Sequence, residues 1–199
     1  MLEIIDLSFD YHDKPLLTKV HFSLAEGQLL HLRGANGAGK TTLLKLLSGL
    51  LQPGKGEIRY NDNDISKSPS AYQRNLCYVG HKAGINPLLT VRENCKFDMH
   101  WNRRFLSFDK LIKAFGLQDL ADEPCYLLSA GQRRRVSLLR IAMTDAKLWL
   151  LDEPLIALDT EAVKTLMGFL ENHIEQGGQI ILTSHQSLPL QQSYLEYSL

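Results

Sequence analysis

The sequence predicts an α/β fold with a mixed β core, an N-terminal antiparallel β portion and an inserted helical lobe. Three observations predict it. Strand-like runs open the chain, a glycine-rich loop joins a strand to a helix at residues 34–41, and two apolar-rich runs lie at residues 148–151 and 179–183. Continuous apolar runs of this length are typical of buried parallel strands, whereas the opening segment is typical of an antiparallel hairpin.

The opening hairpin and the first crossover unit are predicted from local patterns. Residues 2–9 and 20–24 mix apolar and polar side chains at strand-like spacing, with a turn-like Asp-Lys-Pro at residues 13–15. A strand at residues 28–33 leads into the glycine loop, and leucines at helical spacing indicate a buried helix over residues 40–50. A strand, a loop and a helix therefore follow one another.

The rest of the core is predicted from shorter signals. Residues 57–60 and 76–79 are further strand candidates, and residues 179–183 are expected to be the last core strand. Residues 83–146 are mostly helical in pattern, with Thr90 as the N-cap of one helix. This segment is the expected lobe, and the absence of a long linker predicts that residues 1–199 form one domain.

One face of the helix expected at residues 161–175 is apolar, and Gly177 and Gly178 end this helix before the last predicted strand. Its apolar side chains are interpreted as core. They are Val163, Leu166, Met167, Leu170 and Ile174.

Composition excludes several classes of protein. Lys plus Arg and Asp plus Glu both total 22, so the chain has no global basic field that favours nucleic acid or anionic membrane. No signal peptide is evident at the start, and no apolar stretch approaches the roughly 20 residues that cross a bilayer. We therefore expect a cytosolic chain whose membrane role is peripheral. Cys77, Cys95 and Cys125 lack metal or disulfide spacing and are interpreted as reduced packing residues.

The glycine-rich loop fits the phosphate-binding pattern GxxxxGK[ST] at every fixed position, after a strand and at the start of a helix. Its glycines bring backbone N–H groups close to phosphate oxygens, and the helix adds the positive end of its dipole. Lys40 supplies a charge for the β- and γ-phosphates, and the Thr41 hydroxyl is suited to Mg²⁺. The loop therefore predicts a nucleotide site with ATP and Mg²⁺ as cofactors.

Two carboxylates end a buried strand, at the sheet edge where open α/β sheets bind ligands. Asp152 is suited to hold Mg²⁺ through its surrounding shell, and Glu153 is suited to polarise the attacking water.

The segment Leu-Ser-Ala-Gly-Gln at residues 128–132 resembles the LSGGQ signature of ATP-binding-cassette (ABC) proteins and precedes the two carboxylates by some twenty residues. The resemblance covers nearly the whole chain and implies a P-loop NTPase of ABC type. It also implies a head-to-tail homodimer, in which the phosphate loop of one copy and the signature of the other enclose each ATP.

The resemblance assigns further roles. Tyr11 corresponds to the aromatic residue that stacks on adenine, Asp159 to a dimer-contacting loop, and His185 to the switch histidine at the γ-phosphate. His81 departs from the family pattern, because most members carry at that position a glutamine that reaches Mg²⁺.

The predicted site therefore has three sets of residues. Those expected to contact ATP are Tyr11, Gly34, Ala35, Asn36, Gly37, Ala38, Gly39, Lys40, Thr41, Thr42, Ser129, Ala130, Gly131 and Gln132. Those expected to act on Mg²⁺ are Thr41, Asp152 and His81, and those expected to act in catalysis are Glu153, His185 and His81.

A narrower resemblance rests on the Gly80-His81 pair, on the run from residue 128 to 140 and on the early end of the chain after His185. These features are similar to the ATPase subunits of the haem exporter of cytochrome c maturation. That similarity implies a membrane-spanning CcmB-like permease, CcmC-like and CcmD-like proteins, and a peripheral position on the cytoplasmic face of the inner membrane. Two alternatives stay open: an ABC ATPase for another cargo, such as lipoprotein or a small molecule, and a soluble ABC-type protein acting on nucleic acid or ribosomes.

Overall fold

The computed structural model describes residues 1–12, 14–99 and 107–199. These residues form strands in two sheets. The strands are β1 (Leu2–Tyr11), β2 (Lys14–Leu24), β3 (Leu29–Arg33), β4 (Lys55–Tyr60), β5 (Asn63–Asp64), β6 (Leu76–Val79), β7 (Leu148–Leu151), β8 (Gln179–Thr183) and β9 (Leu195–Ser198).

The antiparallel sheet has the order β2-β1-β4-β5 and contains the predicted hairpin. The second strand was expected to begin at residue 20, but it begins at Lys14, and Pro15 pairs with Asp10. The proline is tolerated because β2 is the edge strand of this sheet, where a missing N–H disrupts no ladder. Asp13, expected in the turn, lies outside the described residues.

The parallel sheet has the order β6-β7-β8-β3-β9 and carries the candidate site. All four residues of β7 and all five of β8 are buried, as expected for strands covered on both faces. The expectation that residues 179–183 are the last core strand is wrong, because β9 follows and pairs with β3. Only one residue of β9 is even half-buried, so this edge strand lacks the apolar run that marks the others.

Helices occupy both faces of the parallel sheet. They are α1 (Lys40–Leu47), α2 (Pro69–Gln73), α3 (Val91–Met99), α4 (Phe108–Ala114), α5 (Ala130–Met143) and α6 (Thr160–Glu175), with short 3₁₀ turns at Gln118–Leu120 and Cys125–Leu127. The first helix ends three residues before the expected residue 50.

Local capping explains where two of these helices begin. At the start of α3, Thr90 Oγ1 accepts from the Glu93 N–H and the Thr90 N–H donates to Glu93 Oε2, which is the reciprocal arrangement of a capping box. At α6, Asp159 Oδ1 accepts from the Ala162 N–H at 2.8 Å. The Thr90 cap is therefore confirmed, and Asp159 is an N-cap.

Two apolar clusters fill the interior. One joins α3, α4, α5 and α6 to β6 and β7, and the other lies between α1, the antiparallel sheet and the opposite face of the parallel sheet. The three cysteines are buried thiols, as predicted. Among the helices of residues 1–12, 14–99 and 107–199, none has the length and apolar character to span a bilayer.

Candidate nucleotide site

The carboxyl ends of β3, β6, β7 and β8 meet at one edge of the parallel sheet and surround a cavity of about 350 Å³. Loops that leave parallel strands at the same edge bring distant residues together. The cavity is lined by Leu16, Asn36, Gly37, Gly39, Lys40, Thr41, Thr42, His81, Asp152, Glu153, Ile156 and His185.

The glycine loop connects β3 to α1. Gly39 caps α1 with φ of 102°, a left-handed conformation that favours glycine, and a Cβ there would also lie 2.8 Å from Leu17 Cδ2. No side chain caps the helix start, which leaves its first N–H groups directed at the cavity rim. Lys40 Nζ donates to the carbonyls of Gly34 at 2.7 Å and Ala35 at 3.0 Å. An ammonium group has three donors, so one is available to a phosphate.

Asp152 follows β7 and is almost fully buried, with 1% exposed. Its two carboxylate oxygens accept hydrogen bonds from different elements: Oδ2 from Thr41 Oγ1 at 2.8 Å and Oδ1 from Thr183 Oγ1 at 2.9 Å. Hydroxyl and carboxylate oxygens are the ligands that Mg²⁺ prefers, together with water and substrate phosphates. Thr41 and Asp152 provide two such oxygen groups side by side. The described residues hold no cluster of three His, Cys, Asp or Glu.

Glu153 has an unusual backbone and a carboxylate oxygen without a hydrogen bond. Its φ is 50°, a region that non-glycine residues rarely adopt, and its N–H donates to Thr183 Oγ1 at 2.8 Å. Oε1 is buried, has no hydrogen-bond partner among the described residues, and lies 3.5 Å from His185 Nε2. A desolvated carboxylate oxygen with unused acceptor capacity beside a cavity is suited to bind and polarise a water molecule.

Two further ionisable side chains, those of Tyr78 and Arg134, lie near the Asp152 and Glu153 carboxylates. Burial, and to a lesser extent the charge of Asp152, raises the pKa of Tyr78 to about 12. Burial also lowers the pKa of the Arg134 guanidinium, and Asp152 and Glu153 oppose that shift. Arg134 is therefore a buried positive charge close to two buried carboxylates.

Comparisons with known proteins also indicate a nucleotide-binding chain. The chain matches the family described as ABC transporter over residues 17–156. It is 54% identical, over 100% of both chains, to the cytochrome c biogenesis ATP-binding export protein CcmA of Legionella pneumophila strain Lens. The CcmA of Escherichia coli O157:H7 is 40% identical and covers 97% of this chain and 93% of its own length. The chain belongs to the CcmA group of the ABC transporter family.

A solved structure of an ABC cassette has the same fold. The putative ABC transporter ATP-binding protein of Pyrococcus furiosus is 27% identical, with a TM-score of 0.81 over 100% of this chain and 96% of its own.

Six of the fourteen residues predicted to bind nucleotide line the cavity of this ABC cassette, and all six belong to the glycine loop and the start of α1. Gly34, Ala35 and Ala38 belong to the same loop but are not lining residues, and two further groups do not line the cavity either. Tyr11 is 43% exposed at the end of β1, where it contacts Phe9 edge to face at 4.9 Å, and it is not a lining residue. The second group is the signature segment: Ser129, Ala130, Gly131 and Gln132 are also absent from the lining of the cavity.

The signature segment forms the N-terminus of α5. Ser129 Oγ accepts from the Gln132 N–H at 3.2 Å, and the Ser129 N–H donates to Gln132 Oε1 at 2.7 Å. This capping box leaves Ser129 and Ala130 exposed. Gly131 packs against the loop after Glu153, since a Cβ there would lie 2.4 Å from the Ala157 carbonyl oxygen.

Sequence reasoning missed four residues of the site. Leu16 and Ile156 line the cavity, Thr183 bridges Asp152 and Glu153, and Arg134 binds the carbonyls around them. The helical spacing of Arg134 with the apolar Leu138 and Ile141, four and seven residues later, indicates that Arg134 is buried but does not indicate which groups it binds.

Proposed function

We propose that this cassette is the ATP-hydrolysing subunit of a membrane exporter that acts in c-type cytochrome biogenesis, with haem as its cargo. The observation that carries the ATPase assignment is the convergence of Lys40, Thr41, Asp152, Glu153 and His185 on one cavity. The full-length similarity to CcmA proteins supports the pathway. In this proposal residues 1–199 act as one cassette, with residues 83–146 as its helical lobe.

The proposed chemistry uses each group where it lies. The loop N–H groups and Lys40 bind the phosphates, and Thr41 and Asp152 hold Mg²⁺, which when bound neutralises charge on the β- and γ-phosphates. Glu153 Oε1 orients the attacking water, and His185, whose Nε2 lies 3.5 Å from that oxygen, contacts the γ-phosphate. His81 lines the same cavity, and we propose that it senses the γ-phosphate in place of the usual glutamine.

We propose a head-to-tail homodimer as the hydrolysing form. The exposed N-terminus of α5, with Ser129 at its cap, lines no part of the cavity of its own chain. Its N–H groups are available to a phosphate held by a second copy. The proposed ATP contacts of Ser129, Ala130, Gly131 and Gln132 therefore require a partner subunit.

An apolar patch supports a membrane-spanning partner. Leu88, Tyr126 and Leu127 are 76%, 58% and 60% exposed. The Tyr126 N–H donates to the Pro87 carbonyl at 2.9 Å, which brings the two segments side by side. Because exposed apolar patches mark interaction sites, we propose that this one contacts a CcmB-like permease. CcmC-like and CcmD-like proteins complete the proposed assembly on the cytoplasmic face of the inner membrane.

The ATPase assignment is tested with purified protein. We expect Lys40→Ala to weaken ATP binding roughly 10- to 100-fold, because a charge-assisted hydrogen bond contributes about 1.5–3 kcal/mol. We expect Glu153→Gln to bind ATP normally, to lower kcat at least roughly 100-fold and to accumulate an ATP-bound dimer. Lys45→Ala and Glu161→Gln make the same changes outside the cavity and serve as controls. A Glu153→Gln protein with the parent's kcat would exclude Glu153 as the base.

The pathway assignment is tested in cells that lack this gene. Covalent haem on c-type cytochromes is measured after complementation with the parent chain or with Lys40→Ala. We expect that cells without the gene lose the attached haem, and that the parent chain restores it but Lys40→Ala does not. Normal haem attachment without the gene would discard the cytochrome pathway and leave an ABC ATPase for another cargo.

Leu88→Ser, compared with Leu50→Ser, tests the permease contact through co-purification of the CcmB-like subunit.

A further inference from the structure

Arg134 is a buried cation on α5 whose donors all face backbone carbonyls of the candidate site. Only 6% of it is exposed. Nη1 donates to the Gly80 carbonyl at 2.8 Å, Nη2 donates to the Asp152 carbonyl at 2.7 Å, and Nε makes a longer contact of 3.5 Å with the Pro154 carbonyl. The planar guanidinium presents several donors in a fixed fork, so it fixes these groups relative to one another.

Two of the carbonyls that Arg134 binds belong to the residues on either side of Glu153. The Asp152 carbonyl is part of the peptide group that joins Asp152 to Glu153, and the Pro154 carbonyl is part of the peptide group that follows Pro154, so both of these peptide groups are bound to α5. Glu153 itself has φ of 50°. A non-glycine residue keeps such a conformation only where its surroundings over-determine it. Thr183 holds the Glu153 N–H from β8, and Arg134 holds the neighbouring carbonyls from α5.

The third carbonyl that Arg134 binds is that of Gly80, at the start of the segment that leads into the proposed helical lobe. Gly80 immediately precedes His81, at the point where the chain leaves β6 and enters the segment before α3. One guanidinium therefore connects the backbone before His81, the backbone around Glu153 and the body of α5. The N-terminus of that helix is formed by the signature segment, whose last residue, Gln132, lies two residues before Arg134.

We propose that Arg134 is a positioning residue that makes the orientation of the Glu153 carboxylate depend on the position of α5. The inference rests on the proposed ATPase function and deepens it. When a phosphate of the partner copy binds the N-terminus of α5, the helix carries Arg134 with it, and Arg134 carries the peptide group that enters Glu153 and the one that follows Pro154. In this proposal Arg134 acts through the backbone carbonyls it binds, and not by contact with the nucleotide.

The proposal is tested by Arg134→Gln and Arg134→Lys, with Arg135→Gln as the matched control. Arg135 is the next residue of α5, so its replacement by glutamine removes the same charge from the same helix. Its guanidinium donates to the Phe115 carbonyl at 3.3 Å and not to the carbonyls beside Glu153. We expect Arg134→Gln to lower kcat for ATP roughly tenfold or more, since misplacing a catalytic group by about 1 Å can cost 100-fold. KM for ATP should change by less than about threefold, because ground-state binding is not altered. Lysine keeps the charge without the fork, so Arg134→Lys should resemble Arg134→Gln more than the parent.

A double-mutant cycle with Glu153→Gln separates positioning from a general loss of structure. If Arg134 acts through the Glu153 carboxylate, Arg134→Gln should lower the residual kcat of Glu153→Gln by less than about twofold. All rates are divided by the fraction of subunits that bind a fluorescent ATP analogue, so misfolded protein does not contribute. If Arg134→Gln does not fold, Arg134→Lys enters the same cycle.

Three results would overturn the inference: a parent-like kcat in both Arg134 variants, equal fold losses in the two backgrounds, or a loss that disappears after normalisation. Absence of ATP hydrolysis in both the parent and Arg135→Gln would instead refute the proposed function.

Discussion

Thr183 offers a direct measurement of the hydrogen bonds that hold the two acidic residues. The side chain is fully buried, and its single hydroxyl donates to Asp152 Oδ1 at 2.9 Å while it accepts from the Glu153 N–H at 2.8 Å. Thr183→Val keeps the shape and removes the hydroxyl. Asp152 then loses a hydrogen bond to a charged group, which contributes about 1.5–3 kcal/mol, and the buried Glu153 N–H is left unsatisfied at a cost of about 1–3 kcal/mol.

We therefore expect Thr183→Val to lower the free energy of unfolding by roughly 2–5 kcal/mol, since two effects that share one hydroxyl do not simply add. Thr183→Ser keeps the hydroxyl and loses one methyl group, at a cost of about 1 kcal/mol. Urea unfolding of the two variants and the parent measures the difference. Valine and serine variants of equal stability would refute the assignment of stability to this hydroxyl. A stable Thr183→Val with normal ATP hydrolysis would also remove Thr183 from the site.

Two further predictions concern the packing and the titration of buried rings. A Cβ on Gly178 would lie 2.2 Å from His173 Nε2, whose ring stacks on Trp149 at 3.7 Å, so we expect Gly178→Ala to destabilise the fold by about 1–3 kcal/mol. The control Gly168→Ala meets no atom within 4 Å on α6 and should stabilise by about 1 kcal/mol, and equal effects in urea unfolding would contradict this account. Because burial raises the pKa of Tyr78 from 10.0 to about 12, the unfolded chain loses this proton first, and the free energy of unfolding should fall as pH rises between these values. Tyr78→Phe should make that decline shallower, and an unchanged pH dependence would contradict it.

The buried parallel strands could be predicted from the sequence, whereas two of the edge strands could not. β7 and β8 have the predicted bounds, because strands covered on both faces need apolar residues throughout, and the edge strand β6 also has its predicted bounds because all four of its residues are apolar or aromatic. β9 is a partly exposed edge strand, and its residues Leu195–Ser198 carry no comparable signal. The start of β2 was misplaced for a related reason. Proline normally ends a strand, but at an edge its missing N–H costs no ladder hydrogen bond.

Ten of the twelve residues that line the cavity were predicted from the sequence, but the groups that hold them in place were not. A phosphate-binding loop of this kind has glycine, lysine and a hydroxyl residue at fixed spacing, so the loop at residues 34–41 can be identified from the sequence alone. Arg134 stands in a run of three arginines, and its neighbours Arg133 and Arg135 are only half-buried. What distinguishes Arg134 is its contact with carbonyls from β6 and β7, which come from distant parts of the chain. Such contacts follow from sheet order, and local patterns do not encode sheet order.

Sheet order also explains why the site is centred on β7. This strand lies between β6 and β8, so Asp152 and Glu153 at its end have Gly80 and His81 on one side and Thr183 and His185 on the other. The loop after β3 lies one strand further and reaches back through Thr41 to Asp152. At this edge of the sheet, backbone carbonyls at the ends of neighbouring strands are available as acceptors. A buried arginine has several N–H donors and can bind more than one of these carbonyls at once. Because that cation lies on the helix that begins with the signature segment, a shift of α5 must either carry the peptide groups around Glu153 with it or break the hydrogen bonds of Arg134.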